Sequence, residues 1–179
     1  MANMEGSRQQ RSMVTGLFRD RDSAERAYQS LPARGYSESD VNLAMSEETR
    51  RRHFPEDGAE TELGSKAAKG AGVGGAVGAT VGAIAAALAA VGTSIAIPGL
   101  GLIIAGPAAA ALAGAGAGGV TGGIIGALVG WGIPEERVKH YEAGIKQGGI
   151  VMGVTPRSDE DAEYFEREWK NSQGEHVYR

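Results

Sequence analysis

Hydrophobic and polar residues alternate in short runs at both ends of the chain, and one long apolar block separates the two ends. Near the N-terminus, residues 13–18 and 41–45 have the composition and length of strands. Between them, apolar residues recur at helical spacing, at Ala24, Ala27, Tyr28 and Leu31. We therefore predict a strand, a helix that ends near Gly35, and a second strand.

The C-terminal end repeats this plan. Residues 150–154 predict a strand, and the next apolar residues, Tyr164, Phe165 and Trp169, predict a helix. Ser158 followed by Asp161 resembles a capping box at the start of that helix. Two strand–helix–strand halves in series predict an α+β fold, a ferredoxin-like βαβ-βαβ sandwich. Because the last strand candidate, near Val177, is short, a three-stranded sheet is the alternative.

The apolar block between Lys69 and Glu135 runs for 65 residues without an ionisable side chain. Within it, small residues recur every fourth position, which in a helix aligns them on one face and lets a second backbone approach closely. These helix-packing candidates are Gly70, Gly74, Gly78, Gly82, Gly114, Gly118, Gly122, Gly126 and Gly130. The spacing predicts a long Gly/Ala-rich α-helical hairpin with arms at 71–97 and 108–131, inserted between the two halves of the sandwich.

Breaker residues indicate where the hairpin turns and where it ends. The turn is expected at Pro98, Gly99, Gly101 and Pro107, because proline lacks an N–H donor and glycine permits positive φ. A further helix is expected to open at Pro134 and lead back into the third strand. The resulting segments are a flexible N-terminal tail (1–11), the first βαβ half (12–46), a charged linker (47–68) and the apolar hairpin (69–133). The exit helix and the second half follow at 134–179.

Three locations for the hairpin remain open from its sequence. It could insert into a membrane, bury itself against copies of the same chain in a soluble homo-oligomer, or form an intramolecular core. Lipid is a candidate partner because residues suited to a membrane interface flank the arms: Lys66, Lys69, Trp131, Arg137 and Lys139. The turn has no polar side chain, which fits a re-entrant hairpin or burial inside an oligomer.

Charge and composition indicate which partners the protein can bind and where in the cell it is expected. A net charge of −4 without a basic stripe predicts no nucleic-acid partner. The absence of cysteine excludes disulfides and thiolate metal sites. The polar start of the chain predicts no secretory signal. We expect the protein in the cytoplasm or on the cytoplasmic face of the inner membrane.

Candidate chemistry is sparse. Two G-x-G-x-x-G matches, starting at Gly70 and Gly114, follow no predicted strand, so we expect no nucleotide site. The three histidines, His53, His140 and His176, are scattered along the chain and are interpreted as surface residues. We expect no catalytic, cofactor-binding or metal-ligating residues and identify no small-molecule substrate. An enzyme or ligand-binding domain is the third functional class, after a membrane-associated protein and a soluble scaffold.

Several segments together resemble a known family. They are the acidic helix start with Ala24-Glu25, the turn RGYSESDV, the hairpin centre IPGLGLIIAGP and the exit GWGIPEERVKHYEAGIKQGGIVMGV. The chain, over roughly residues 12–155, is similar to bacterial general stress proteins of the heat-induced YflT-like type. The resemblance implies a non-enzymatic stress-response protein, and the glycine-zipper hairpin then predicts membrane association and oligomerisation. A soluble self-assembling scaffold is the alternative.

Overall fold

The computed structural model describes residues 12–54, 84, 95–97, 101–114 and 123–179. They form strands and helices in mixed order, an α+β fold. The strands are β1 Val14–Phe18, β2 Val41–Ser46, β3 Ile95–Ile97, β4 Leu102–Ala105, β5 Ile150–Val154 and β6 Glu175–Tyr178. The helices are α1 Arg21–Tyr28, α2 Glu47–His53, α3 Pro107–Gly114, α4 Gly123–Val129, α5 Glu135–Lys146 and α6 Asp159–Asn171.

The described strands form one antiparallel sheet in the order β3-β4-β2-β5-β1-β6. Strand β5 lies at the centre, where Val151 is opposite Leu17 of β1 and Ala44 of β2. The two predicted halves therefore interleave, because β5 from the second half separates β1 from β2. Strands β3 and β4 extend the sheet beyond β2.

Both faces of the sheet are covered, and each strand alternates between them because successive side chains point to opposite sides. On the first face, Phe18, Met45 and Met152 pack in one core with the apolar residues of α1 and α6. On the second face, Leu17 and Val151 pack with residues of α3, α4 and α5. Burial on both sides explains why β1, β4 and β5 are buried along their whole length.

Helices α5 and α6 begin where the sequence predicted, whereas the helix expected to end near Gly35 is wrong in its end: α1 stops at Tyr28, and a separate 3-10 turn at Pro32–Arg34 leads to Gly35. The Ser158 hydroxyl accepts a hydrogen bond from the Asp161 N–H and caps α6. Helix α5 starts directly after Pro134. The uncertain last strand is present as β6, which pairs with β1 and gives the sheet an edge on that side.

The predicted turn between the two helical arms is wrong at residues 102–105, which form a strand, whereas Gly101 is a turn residue as expected. Residues 95–97, expected to end the first helical arm, are strand β3, and four residues expected in the turn are strand β4, which pairs with β2. This short stretch is rich in isoleucine, whose branched side chain packs well on a pleated surface. Gly101, at φ +57°, directly precedes β4.

The predicted charged linker is also wrong in its first part, because residues 47–53 form helix α2. Ser46 caps the helix by accepting the Thr49 N–H. The acidic and basic residues of this segment pair one turn apart. The Arg52 guanidinium, for example, lies 2.6 Å from the Glu48 carboxylate oxygen. Residues 55–68, the rest of that linker, lie outside the described residues, as does most of the predicted first arm.

Candidate functional site

The second face of the sheet carries an apolar layer formed by α3 and α4, both from the uncharged block. On α4, Ile124, Ala127 and Leu128 are buried against the sheet side. On the outer side, Val129 is 43% exposed and Ile125 is half-buried. The described residues of this layer include no ionisable side chain, so its outer surface is uncharged.

The layer is attached to the sheet where β4 leads into α3. The Asn42 side-chain oxygen accepts a hydrogen bond from the Ala108 N–H at 2.7 Å. This bond satisfies one of the N–H groups that lack a partner at the start of a helix. Gly106 makes the approach possible, because it has φ +101° and a β-carbon there would clash with the Val41 carbonyl oxygen. Asn42 on β2 therefore holds the first turn of α3 against the sheet.

Only part of the predicted glycine row lies in the described residues. Gly114 ends α3, Gly126 is half-buried within α4, and Gly130 is exposed just after it. The remaining members, Gly70, Gly74, Gly78, Gly82, Gly118 and Gly122, lie outside the described residues. Of the predicted turn residues, Gly101 and Pro107 are exposed, whereas Pro98 and Gly99 fall outside the description.

Of the five candidate membrane-interface residues, the structure describes Trp131, Arg137 and Lys139. Trp131 is 7% exposed and packs in the second core. The Arg137 guanidinium lies over the Tyr178 ring at 4.5 Å, and Lys139 is exposed on α5. Lys66 and Lys69 lie outside the described residues. Among the helices described, none combines the length and hydropathy needed to cross a bilayer.

A buried carboxylate joins α1 to the apolar block. Glu25 is 4% exposed, and its Oε2 accepts a hydrogen bond from the Ile84 N–H at 3.3 Å. Arg21, one turn earlier, places its Nε 3.7 Å from the other carboxylate oxygen. Ile84 itself is buried in the first core. Both cores of the sandwich therefore include residues of the uncharged block.

A polar network joins the RGYSESD turn to the start of α6. The Tyr36 hydroxyl donates to Asp161 at 2.8 Å and accepts from the Arg157 N–H at 2.6 Å. The Arg157 guanidinium lies over the Tyr36 ring and pairs with Asp40. Burial and the neighbouring Asp161 raise the pKa of Tyr36. Burial would raise the pKa of Asp40, but hydrogen bonds from Ser37 and the charge of Arg157 outweigh it and lower this pKa.

A second network lies in the core between α5, β1 and β6. The Tyr141 hydroxyl donates to the His176 carbonyl oxygen at 2.7 Å and lies 2.8 Å from the Thr15 Oγ1. The Tyr141 side chain is fully buried, and burial raises its pKa strongly. This hydroxyl ties the edge strand β6 to the helix behind it.

Two of the histidines expected to be scattered lie together. The imidazole rings of His140 on α5 and His176 on β6 stack with their centroids 4.4 Å apart and their planes at 15°. His53 is elsewhere, on α2, beside the Phe54 ring. The described residues contain no group of three or more histidine, aspartate or glutamate side chains arranged to hold a metal ion.

Sequence reasoning missed the residues that join the elements. Asn42 carried one usable signal, because it is a polar residue inside a strand whose neighbours Val41 and Leu43 are apolar. The pairing of His140 with His176 carried none, because they are 36 positions apart in the sequence and their contact depends on the path of the sheet. Comparison of the chain with protein-family models, curated proteins and solved structures found no match.

Proposed function

We propose that this chain is a non-enzymatic structural protein that self-associates through the uncharged outer surface of the α3–α4 layer. The observation that carries the proposal is the exposure of Val129, beside half-buried Ile125 and exposed Gly130, on a surface without charge. Burying the exposed part of Val129 against a partner would remove apolar area from water without desolvating any charge.

The glycines on this side support a close helix contact. Gly126 and Gly130 are one turn apart and carry no side chain, so a second backbone could approach closely beside Val129 and Ile125. An identical helix from a second copy could place its own apolar side chains against these glycines. A homo-oligomer formed in this way uses the same surface on each subunit.

The geometry favours a soluble assembly over the inserted hairpin that the sequence suggested first. Strand β4 pairs with β2, and α3 is held by Asn42, so this part of the block is joined to the charged sandwich. Inserting it as a helical hairpin would require breaking the β2–β4 pairing. The competing proposal is that the intact layer associates with the cytoplasmic surface of a membrane. Sedimentation with lipid vesicles distinguishes the two proposals.

For the polar part of the chain we propose the ferredoxin-like arrangement. The order β2-β5-β1-β6 within the antiparallel sheet supports it, as does the packing of α1 and α6 on the same face. The apolar block then enters between the second and third strands of that arrangement and adds β3 and β4 to its edge. A role in the bacterial stress response is a proposal that rests only on the resemblance of the segments quoted above.

The proposal is tested by the mass of the protein in buffer without detergent, measured by size-exclusion chromatography with light scattering. We expect the wild-type chain to form a homo-oligomer and Val129→Glu to lower its mass, because the new charge would be desolvated in the contact. The matched control is Thr155→Glu, which adds the same charge at an exposed residue elsewhere. A wild-type monomer, or an equal mass for Val129→Glu and wild type, would contradict the proposal.

A parallel measurement addresses the membrane. Sedimentation with vesicles of anionic phospholipid should leave the wild-type protein in the supernatant if the layer is covered by other copies. Binding that is lost in Val129→Glu and kept in Thr155→Glu would instead support association of the same surface with lipid.

A further inference from the structure

We propose that His140 and His176 form a two-imidazole chelating site for a late first-row divalent cation such as Zn²⁺ or Ni²⁺. The site would join the edge strand β6 to helix α5. It is independent of self-association and uses the opposite end of the sheet from β3.

The distance between the rings suits one shared ion. Imidazole nitrogens bind Zn²⁺ at about 2.0–2.1 Å, so two of them on one ion lie about 3 Å apart. Ring centroids at 4.4 Å are within this reach. Because the planes are nearly parallel, one ring must turn about its Cβ–Cγ bond to direct a nitrogen at the ion. Both residues are exposed, which leaves room for that rotation and for water to complete the coordination.

The backbone beneath the rings is already held in place. The hydroxyl of Tyr141, the residue after His140, bonds the carbonyl oxygen of His176. His176 has φ +49°, a left-handed conformation that is uncommon for a residue with a side chain. A chelate needs two ligands held at a fixed spacing, and this hydrogen bond supplies the spacing without the metal.

The charged groups near the two histidines limit which metal ions the site can bind. Arg137 lies over the Tyr178 ring, which in turn stacks on His176 with centroids 6.3 Å apart. This positive charge opposes any cation, while the Glu175 carboxylate is engaged by Arg19 at 2.8 Å. The site therefore needs an ion that binds neutral imidazole strongly, which favours the late first-row metals over Mg²⁺ and Ca²⁺.

The test is a titration of untagged full-length protein with ZnCl₂ and separately with NiCl₂ at neutral pH, followed by calorimetry. We expect saturable binding of one ion per chain. His140→Ala and His176→Ala should each lower the affinity at least about tenfold, because one imidazole alone remains and even the loss of a residue that supports a ligand costs about tenfold or more. His53→Ala is the matched control and should bind as the wild type does.

Three results would overturn the proposal. They are no saturable binding, affinity unchanged in His140→Ala, and a stoichiometry of one ion per two chains, which would mean that the ion bridges separate copies. Far-ultraviolet circular dichroism tests whether each variant is folded. If His140→Ala does not fold, His140→Gln takes its place. Thermal unfolding gives an independent readout, since an ion that binds only the folded chain raises Tm and EDTA reverses the rise.

Discussion

The amide oxygen of Asn42, a residue in the middle of the sheet, accepts a hydrogen bond from the Ala108 N–H at the first turn of α3. Asn42 is 3% exposed, so this bond is formed away from water. A side chain on β2 thus bonds the uncharged block at the point where it turns from strand into helix.

Replacing Asn42 tests this attachment. Asn42→Ala removes the side-chain oxygen that accepts the Ala108 hydrogen bond, so the Ala108 N–H loses its partner. Loss of such a helix cap costs about 1–2 kcal/mol. We expect a decrease of that size in the free energy of unfolding, measured with urea. Asn171→Ala makes the same change at an exposed position at the end of α6 and should alter stability little. Equal effects for the two variants would argue against the cap.

Gly106 permits the close approach of β4 to β2, so adding one methyl group there should be costly. In Gly106→Ala, the β-carbon meets the Val41 carbonyl oxygen at a φ that side chains disfavour. We expect a loss of about 3 kcal/mol or more. Gly101→Ala is the control, because Gly101 has positive φ but open space around the added atom, and should cost only about 1–2 kcal/mol. Thermal unfolding of both variants would reveal the difference, and a smaller loss at Gly106 would contradict the packing.

The buried hydroxyl of Tyr141 should stabilise the edge strand. Tyr141→Phe leaves the His176 carbonyl oxygen without this donor, and an unmade buried hydrogen bond costs about 1–3 kcal/mol. We expect faster amide hydrogen exchange in β6 as well as lower stability. Tyr178→Phe, on β6 itself, keeps the ring that contacts Arg137 and should change exchange much less. Unchanged exchange in Tyr141→Phe would show that the hydroxyl does not hold the strand.

Acid should weaken the fold through Asp40. Its folded-state pKa lies below the ordinary value of 3.8, so the stabilisation is complete above that value and is lost as the pH falls through the lower, folded-state pKa. We expect the free energy of unfolding to decline below about pH 4, and Asp40→Asn to make that decline shallower. Asp22→Asn, on the exposed side of α1, is the control. Urea unfolding at several pH values measures the slopes, and parallel slopes for wild type and Asp40→Asn would refute the assignment.

Much of the sandwich could be predicted from sequence because its patterns are local. The spacing of Phe165 and Trp169, the cap at Ser158 and the proline at 134 each act within a few residues. These patterns located α5 and α6 and the strands that follow them.

The apolar block was harder to interpret, because its glycine and alanine periodicity favoured two helical arms joined by a turn. Within it, β3 and β4 become strands by pairing with each other and with β2, a tertiary contact that the local pattern does not contain. The contacts of Asn42 with Ala108 and of His140 with His176 likewise exist only once the sheet has brought distant segments together.

Hydrogen exchange of residues 102–105 in buffer without detergent or lipid tests most directly whether the uncharged block is joined to the sheet. The account predicts that the β4 amides that bond β2 exchange slowly, at rates comparable to those of the β2–β5 pairs. Exchange of these amides at the rate of an unstructured peptide, with protection only after vesicles are added, would contradict it and favour the inserted hairpin.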